Sequence, residues 1–156
     1  MCAEIPSVRT ADCVPLLLGV RGGRAAAAVH AGWRGTAAGV VEAALAALTR
    51  AAGCAPDRVV AGLGPAIGAC CYQVGPEVAA GVGSEGAVER RADGLYLDLR
   101  TAVRERLLAG GVPARAITSA PWCTRCRADL FYSFRGEGDR AGRLMASIGP
   151  LTASAR

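Results

Sequence analysis

The sequence contains no lysine: all 18 of its basic side chains are arginine, set against 13 acidic residues for a formal charge of +5. It holds one histidine, His30, and aromatic residues make up only 4% of the chain. These scarcities exclude several functions. The arginines are scattered and no aromatics interleave them, which is not the basic, ring-studded surface of a nucleic-acid binder. An all-arginine set also follows from base composition in a coding sequence. A solvated, mildly basic surface compatible with small anionic substrates is the better reading. No apolar run approaches the roughly 18 residues of a membrane span. The N-terminal MCAEIPSVRTADC carries acidic and polar residues where a signal peptide needs an apolar stretch. A cytoplasmic protein without membrane or nucleic-acid partners is expected.

What is abundant is small. Hydrophobic residues are 52% of the chain, much of that alanine, and there are 21 glycines. The core must then be built by close backbone approach rather than by large rings. At 156 residues the chain is read as one domain, 1–156, large enough to bury such a core without staples. Its seven cysteines are odd in number and show no disulfide framework, so free thiols in a reducing compartment are expected.

The pattern predicts mixed α and β structure. VPLLLGV (14–20) reads as a strand, RGGR as a glycine turn, and 25–30 as a second strand. Residues 36–50 read as a helix capped by Thr36, with Val40, Val41, Leu45 and Leu48 near one face. RVVAGL (58–63) reads as a buried strand, 76–82 as a short helix, and 83–94 as a polar surface excursion. LDLRTAVRERLLAGGV (97–112) is a helix with a glycine stop. A short strand is placed near 116–119, and LFYSF and RLMASI read as two strands joined by a glycine loop.

Chemistry concentrates where strands end. Cys13 closes TADC and His30 opens HAGWRG. A thiol and an imidazole form either a nucleophile–base pair or two ligands of a metal. A buried cysteine and a structural histidine are the plain alternative. The glycines around Trp33-Arg34 suggest a tight strand-to-helix turn, and a helix N-terminus there would suit an anion, with Arg34 as a guanidinium fork. GLGPAIGACC is a glycine loop that fits no nucleotide fingerprint. CTRC (123–126) is one C-x-x-C without a second pair, so a zinc ribbon is not expected. Arg135, Arg140 and Arg143 surround a glycine loop, either a plain hairpin tip or an anion site.

TADCVPLLL, AAVHAGWRGTAAGVV, GPAIGACCYQVGPEV, LDLRTAVRERLLAGGV and CTRCRADLFYSFRGEGDRAGR occur in one order along the chain. Together they closely resemble the YfiH-type family, also called laccase-domain or multicopper polyphenol oxidase-like proteins, from about residue 8 to 148. The resemblance implies an α+β fold, a layered α/β/β/α sandwich similar to the catalytic domain of cytotoxic necrotizing factors. It implies phosphorolysis of adenosine, inosine, guanosine or methylthioadenosine, with purine nucleoside and phosphate as partners and adenosine deamination beside it. It also links one branch to peptidoglycan editing. The family's zinc is held by two histidines and one cysteine, and the matching positions here are Cys13 and His30. The second family histidine lies in an upstream Gln-Val-His-Gly motif that these 156 residues do not contain. The expectation is therefore an N-terminally shortened member with an incomplete zinc shell, which Cys70, Cys71, Cys123 or Asp12 would have to assist. The alternatives are a fragment or misassigned start of a full-length member, or a shortened member that is inactive or binding-only, or that self-associates through the exposed truncated face. Cys13, His30, Arg34 and Arg135 are the candidate catalytic residues. Copper chemistry is not expected, because multinuclear copper centres draw mainly on imidazole and this chain has one.

Overall fold

A computed structural model describes residues 5–23 and 25–149. Its centre is a four-stranded sheet in the order β3-β2-β4-β8, formed by β2 (Val14–Val20), β3 (Ala26–Ala31), β4 (Val59–Leu63) and β8 (Ile117–Ser119). β2 pairs antiparallel with both β3 and β4, while β4 and β8 run parallel. Most of β2 is buried, as a strand covered on both faces must be, and Val14, Leu16 and Leu18 are fully enclosed. Each such side chain contributes about 1.5–3 kcal/mol by leaving water.

One cover is helical. α2 (Val40–Ala52) lays Val41, Leu45 and Leu48 on the sheet, and α4 (Leu99–Ala109) packs against α2. Asp98 caps α4 by accepting from the backbone N–H groups of Arg100 and Thr101 at 3.1 and 3.4 Å. Arg106 of α4 reaches Glu42 of α2 at 2.6 Å. The other cover is the antiparallel pair of β1 (Ser7–Thr10) and β9 (Leu144–Ser147). A small sheet, β5-β7-β6, stands apart, made from Gln73–Val74, Gly94–Leu97 and Val88–Arg91 respectively. The mixed α+β class is what the structure shows.

Several boundaries differ from the sequence reading. The helix expected over 36–50 is two helices, α1 (Trp33–Ala37) and α2, divided at Gly39, whose φ of +82° is left-handed. Thr36 is not a cap; it lies inside α1, fully buried. The expected excursion at 83–94 contains β6 and the start of β7, a hairpin whose register closes at Arg91 and Gly94. LFYSF is not a strand. It runs through turns into the short α5 (Phe134–Glu137), capped by Ser133, while RLMASI supplies β9 and pairs with β1 instead. The short helix expected at 76–82 is α3 (Pro76–Val82).

Candidate metal and substrate site

β2 begins one residue after Cys13, and β3 carries His30 opposite Pro15. The register therefore brings the approach to β2 beside the exit from β3. A Cβ placed on Gly32 would lie 3.0 Å from Cys13 Sγ and 3.8 Å from His30 Nε2. The thiol and the imidazole thus face one gap, which glycine keeps open. His30 is exposed and Cys13 half-buried. Burial, then the Asp12 carboxylate beside it, push the Cys13 thiol above its ordinary pKa. With no metal present it is a thiol at neutral pH.

Asp12 does not turn towards that gap. It holds a left-handed φ of +83°, and its buried carboxylate accepts from Thr124 Oγ1 and from the Arg135 backbone N–H, each at 2.6 Å. Asp12 is therefore a structural anchor rather than the assisting ligand expected above. Its backbone carbonyl also accepts from Ile67 N at 2.9 Å.

Arg135 sits over the Tyr72 ring at 5.0 Å and donates Nη1 to the Gln73 carbonyl at 3.0 Å. Burial and then the neighbouring Cys13 raise the Tyr72 hydroxyl pKa, while Arg135 and Arg34 oppose that rise. Cys13, Arg34, Arg135 and Tyr72 thus share one electrostatic neighbourhood. Arg34 is exposed and lies over its neighbour Trp33 at 4.6 Å. The helix beginning there has five residues, too few aligned peptides for the anion-attracting dipole that a long helix would have offered. Any anion must be held by the guanidinium groups themselves. Arg140 and Arg143 lie beyond α5, where Arg143 donates to the carbonyls of Ala141 and Gly142 and stacks towards Phe134.

The thiols take a different arrangement from the one expected. Cys70, Cys71 and Cys123 gather with Cys126, all four sulfurs within 4.8 Å of one another, and are not grouped with Cys13 and His30. CTRC does have a second pair. It is the adjacent Cys70-Cys71, brought alongside by the bridge between Ala66 and Cys123. Burial raises Cys123, but N–H groups of Gly68 and Cys126 and the thiols of Cys70 and Cys126 more than offset this and bring it to about 7.

Tyr72 and Thr124 were not singled out from the sequence, whereas Gly32 was read as one of the two glycines of the tight turn around Trp33-Arg34. Tyr72 carried a usable signal, as one of seven aromatic residues and the only one within the glycine-rich loop. Thr124 carried none, because its role depends on Asp12, 112 positions away.

The family model described as multi-copper polyphenol oxidoreductase laccase matches residues 5–150. The chain belongs to that family. It is 37% identical over 148 residues to a protein named adenosine deaminase RL5 from an unknown prokaryotic organism, covering 90% of this chain and 56% of that one. It is 36% identical over 148 residues to a purine nucleoside phosphorylase of Bacteroides thetaiotaomicron, covering 90% and 55%. The crystal structure of YlmD from Geobacillus stearothermophilus superposes with a TM-score of 0.84 at 34% identity, over 93% of this chain and 56% of that one. YfiH of Bacillus licheniformis superposes at 0.86 and 32% identity, over 93% and 57%. The chain spans about half the length of the curated relatives it matches. Among the described residues, no helix is long and apolar enough to cross a membrane.

Proposed function

We propose that this chain carries the Cys-His part of a purine nucleoside phosphorylase site, using phosphate to split adenosine, inosine, guanosine or methylthioadenosine, with adenosine deamination as a side reaction. The observation that supports this most is the convergence of Cys13 Sγ and His30 Nε2 on the Gly32 gap, beside Tyr72, Arg34 and Arg135. The names of the relatives point the same way.

Cys13 and His30 would hold a zinc ion, since one thiolate and one imidazole are borderline-soft donors suited to it. When bound, zinc supplies a Lewis acid that lowers the pKa of a coordinated water. The rest falls to the chain's own groups. Arg135 is braced by the Gln73 carbonyl and the Tyr72 ring, so its guanidinium is held ready for phosphate, and Arg34 adds a second, freer cation. Phosphate oxygen attacks ribose C1′ as the bond to the purine nitrogen breaks, and the electron pair leaves with the base. Tyr72 keeps its proton at neutral pH and can donate to that base. Cysteine-nucleophile amide hydrolysis is disfavoured, because it needs a thiolate and burial with Asp12 pushes Cys13 the other way. Ile5, just before β1, and Met145 of β9, both exposed, would provide the apolar surface for self-association.

Incubation with adenosine, with and without phosphate, tests the reading. Ribose 1-phosphate and adenine appearing only with phosphate are expected. Nucleoside binding by calorimetry without turnover would favour a binding-only domain, and a stoichiometric acyl adduct on Cys13 would favour amide hydrolysis.

A further inference from the structure

We propose that Cys70, Cys71, Cys123 and Cys126 form a second zinc site, a tetrathiolate distinct from the Cys13–His30 pair, which fastens the 64–72 loop to the 120–127 loop. Four thiolates around one zinc at about 2.3 Å require sulfurs spaced by about 3.8 Å in a tetrahedron. Here Cys70 Sγ and Cys71 Sγ stand 3.5 and 3.4 Å from Cys126 Sγ, and no pair in the group exceeds 4.8 Å. All four are free thiols. The chain has thus already brought four soft donors to the spacing of one metal shell, with small adjustments left for the ion.

Backbone hydrogen bonds help to hold the two loops together. Thr124 N donates to the Ala66 carbonyl at 3.2 Å, and Gly68 N donates to Cys123 Sγ at 3.3 Å. The second is the outer hydrogen bond that a metal-bound thiolate commonly receives, and it leaves the sulfur free to bind through another lone pair. Four thiolates on a divalent ion leave two negative charges. A Cβ on Gly68 would meet Cys70 Sγ at 3.3 Å, Arg100 Nη2 at 3.4 Å and the Cys123 Cβ at 3.5 Å, so a guanidinium already lies against the cluster. Arg100 is fixed there by the carbonyls of Ala120 and Trp122 at 2.6 and 3.0 Å. A side chain at position 68 would crowd Cys70 and Arg100, which would have to give by a few tenths of an ångström.

Binding is ligand exchange without redox: zinc(II) enters, each thiol passes its proton to solvent, and four S–Zn bonds form. The consequence reaches the other site. Cys71 adjoins Tyr72, and Cys123 adjoins Thr124, the donor to Asp12. A filled cluster would hold Tyr72 and the Asp12 anchor in register.

The test is anaerobic titration of the fully reduced chain with cobalt(II), a coloured stand-in for zinc. A single equivalent giving tetrahedral d–d bands and thiolate charge-transfer absorption is expected, displaced by zinc. The bands should vanish in a Cys70→Ser/Cys126→Ser variant and persist in His30→Ala. Both substituted cysteines are exposed, so circular dichroism should report an intact fold. In a second measurement on the unaltered chain, zinc should protect these four thiols from alkylation and leave Cys54 labelled. The proposal is overturned by an absence of cobalt bands, by bands that survive the double variant or disappear in His30→Ala, or by zinc failing to protect the four thiols. A failure of phosphorolysis would leave these readouts unmoved.

Discussion

Arg135 donates its backbone N–H to Asp12 Oδ2 at 2.6 Å, although the two residues are 123 positions apart. With Thr124 on the other carboxylate oxygen and Ile67 on the backbone carbonyl, Asp12 ties three distant segments to the entrance of β2. A left-handed residue with a side chain costs about 1–2 kcal/mol, a conformation that Asp and Asn tolerate best. Truncation in Asp12→Ala would leave buried donors unpaired and should cost about 2–3 kcal/mol by chemical denaturation. Asp12→Asn keeps the backbone preference and one oxygen, so its loss should be smaller. An unchanged midpoint in the alanine variant would show that the anchor contributes nothing.

Gly32 gives a cleaner probe of the candidate site. Its φ of −85° and ψ of 169° suit any residue, so Gly32→Ala adds a methyl without backbone strain. That methyl would sit 3.0 Å from Cys13 Sγ and obstruct the space shared with His30. We expect stability within about 1 kcal/mol of the parent, with nucleoside phosphorolysis reduced at least tenfold. Full activity in this variant would show that chemistry does not occur between these two side chains.

The sequence was most readable where one local cause dominated. β2 was visible because a strand buried on both faces is a continuous apolar run, and β4 because it too is an unbroken apolar run, with every second residue buried. α4 was visible because Leu99, Val103 and Leu107 recur at helical spacing before paired glycines. The Cys13–His30 convergence followed from the family resemblance, and the strand register supplies its physical basis. The cysteine cluster was hidden, because Cys71 and Cys123 are 52 residues apart and their loops meet only through tertiary contacts, the Ala66–Cys123 bridge and the Gly68 N–H on Cys123 Sγ among them. The Thr36–Arg50 helix was misread because spacing alone does not reveal which glycine takes a left-handed φ.

That misreading is itself testable. Gly39 ends the α1 segment and starts α2 at φ +82°, where a Cβ meets the backbone sterics that disfavour left-handed residues. Gly39→Ala should lower stability by about 1–2 kcal/mol in thermal or denaturant unfolding. A continuous helix through 36–50 would instead gain roughly 1 kcal/mol from losing a mid-helix glycine, so the sign of the change decides between the two.

The family name carries copper, but this chain's donors do not suit multinuclear copper oxidation. Its one histidine lies beside the Gly32 gap with Cys13, and among the described residues its clustered donors are four thiols. Thiolates select copper(I), zinc or iron–sulfur chemistry, whereas the oxidase centres depend on imidazole. After metal stripping and copper loading, oxidation of a phenolic substrate should remain at the level of free copper. Chelator-sensitive oxidation well above that level would contradict the prediction.

The two proposed zinc sites, of unequal strength, should behave differently under dialysis. Full zinc shells in small domains bind with about 10–16 kcal/mol. Cys13 and His30 supply half the ligands of such a shell, and no third histidine, cysteine or carboxylate completes them among the described residues. A half share of that free energy is about 5–8 kcal/mol, roughly micromolar to submillimolar affinity. In the Cys70→Ser/Cys126→Ser background, which isolates the pair, zinc should therefore be removed by dialysis against a mild chelator. The unaltered chain should retain its metal, and His30→Ala alone should leave that retained amount unchanged. Zinc that survives dialysis in the double-serine background, and is lost when His30→Ala is added, would show that the pair recruits a further ligand and binds tightly on its own.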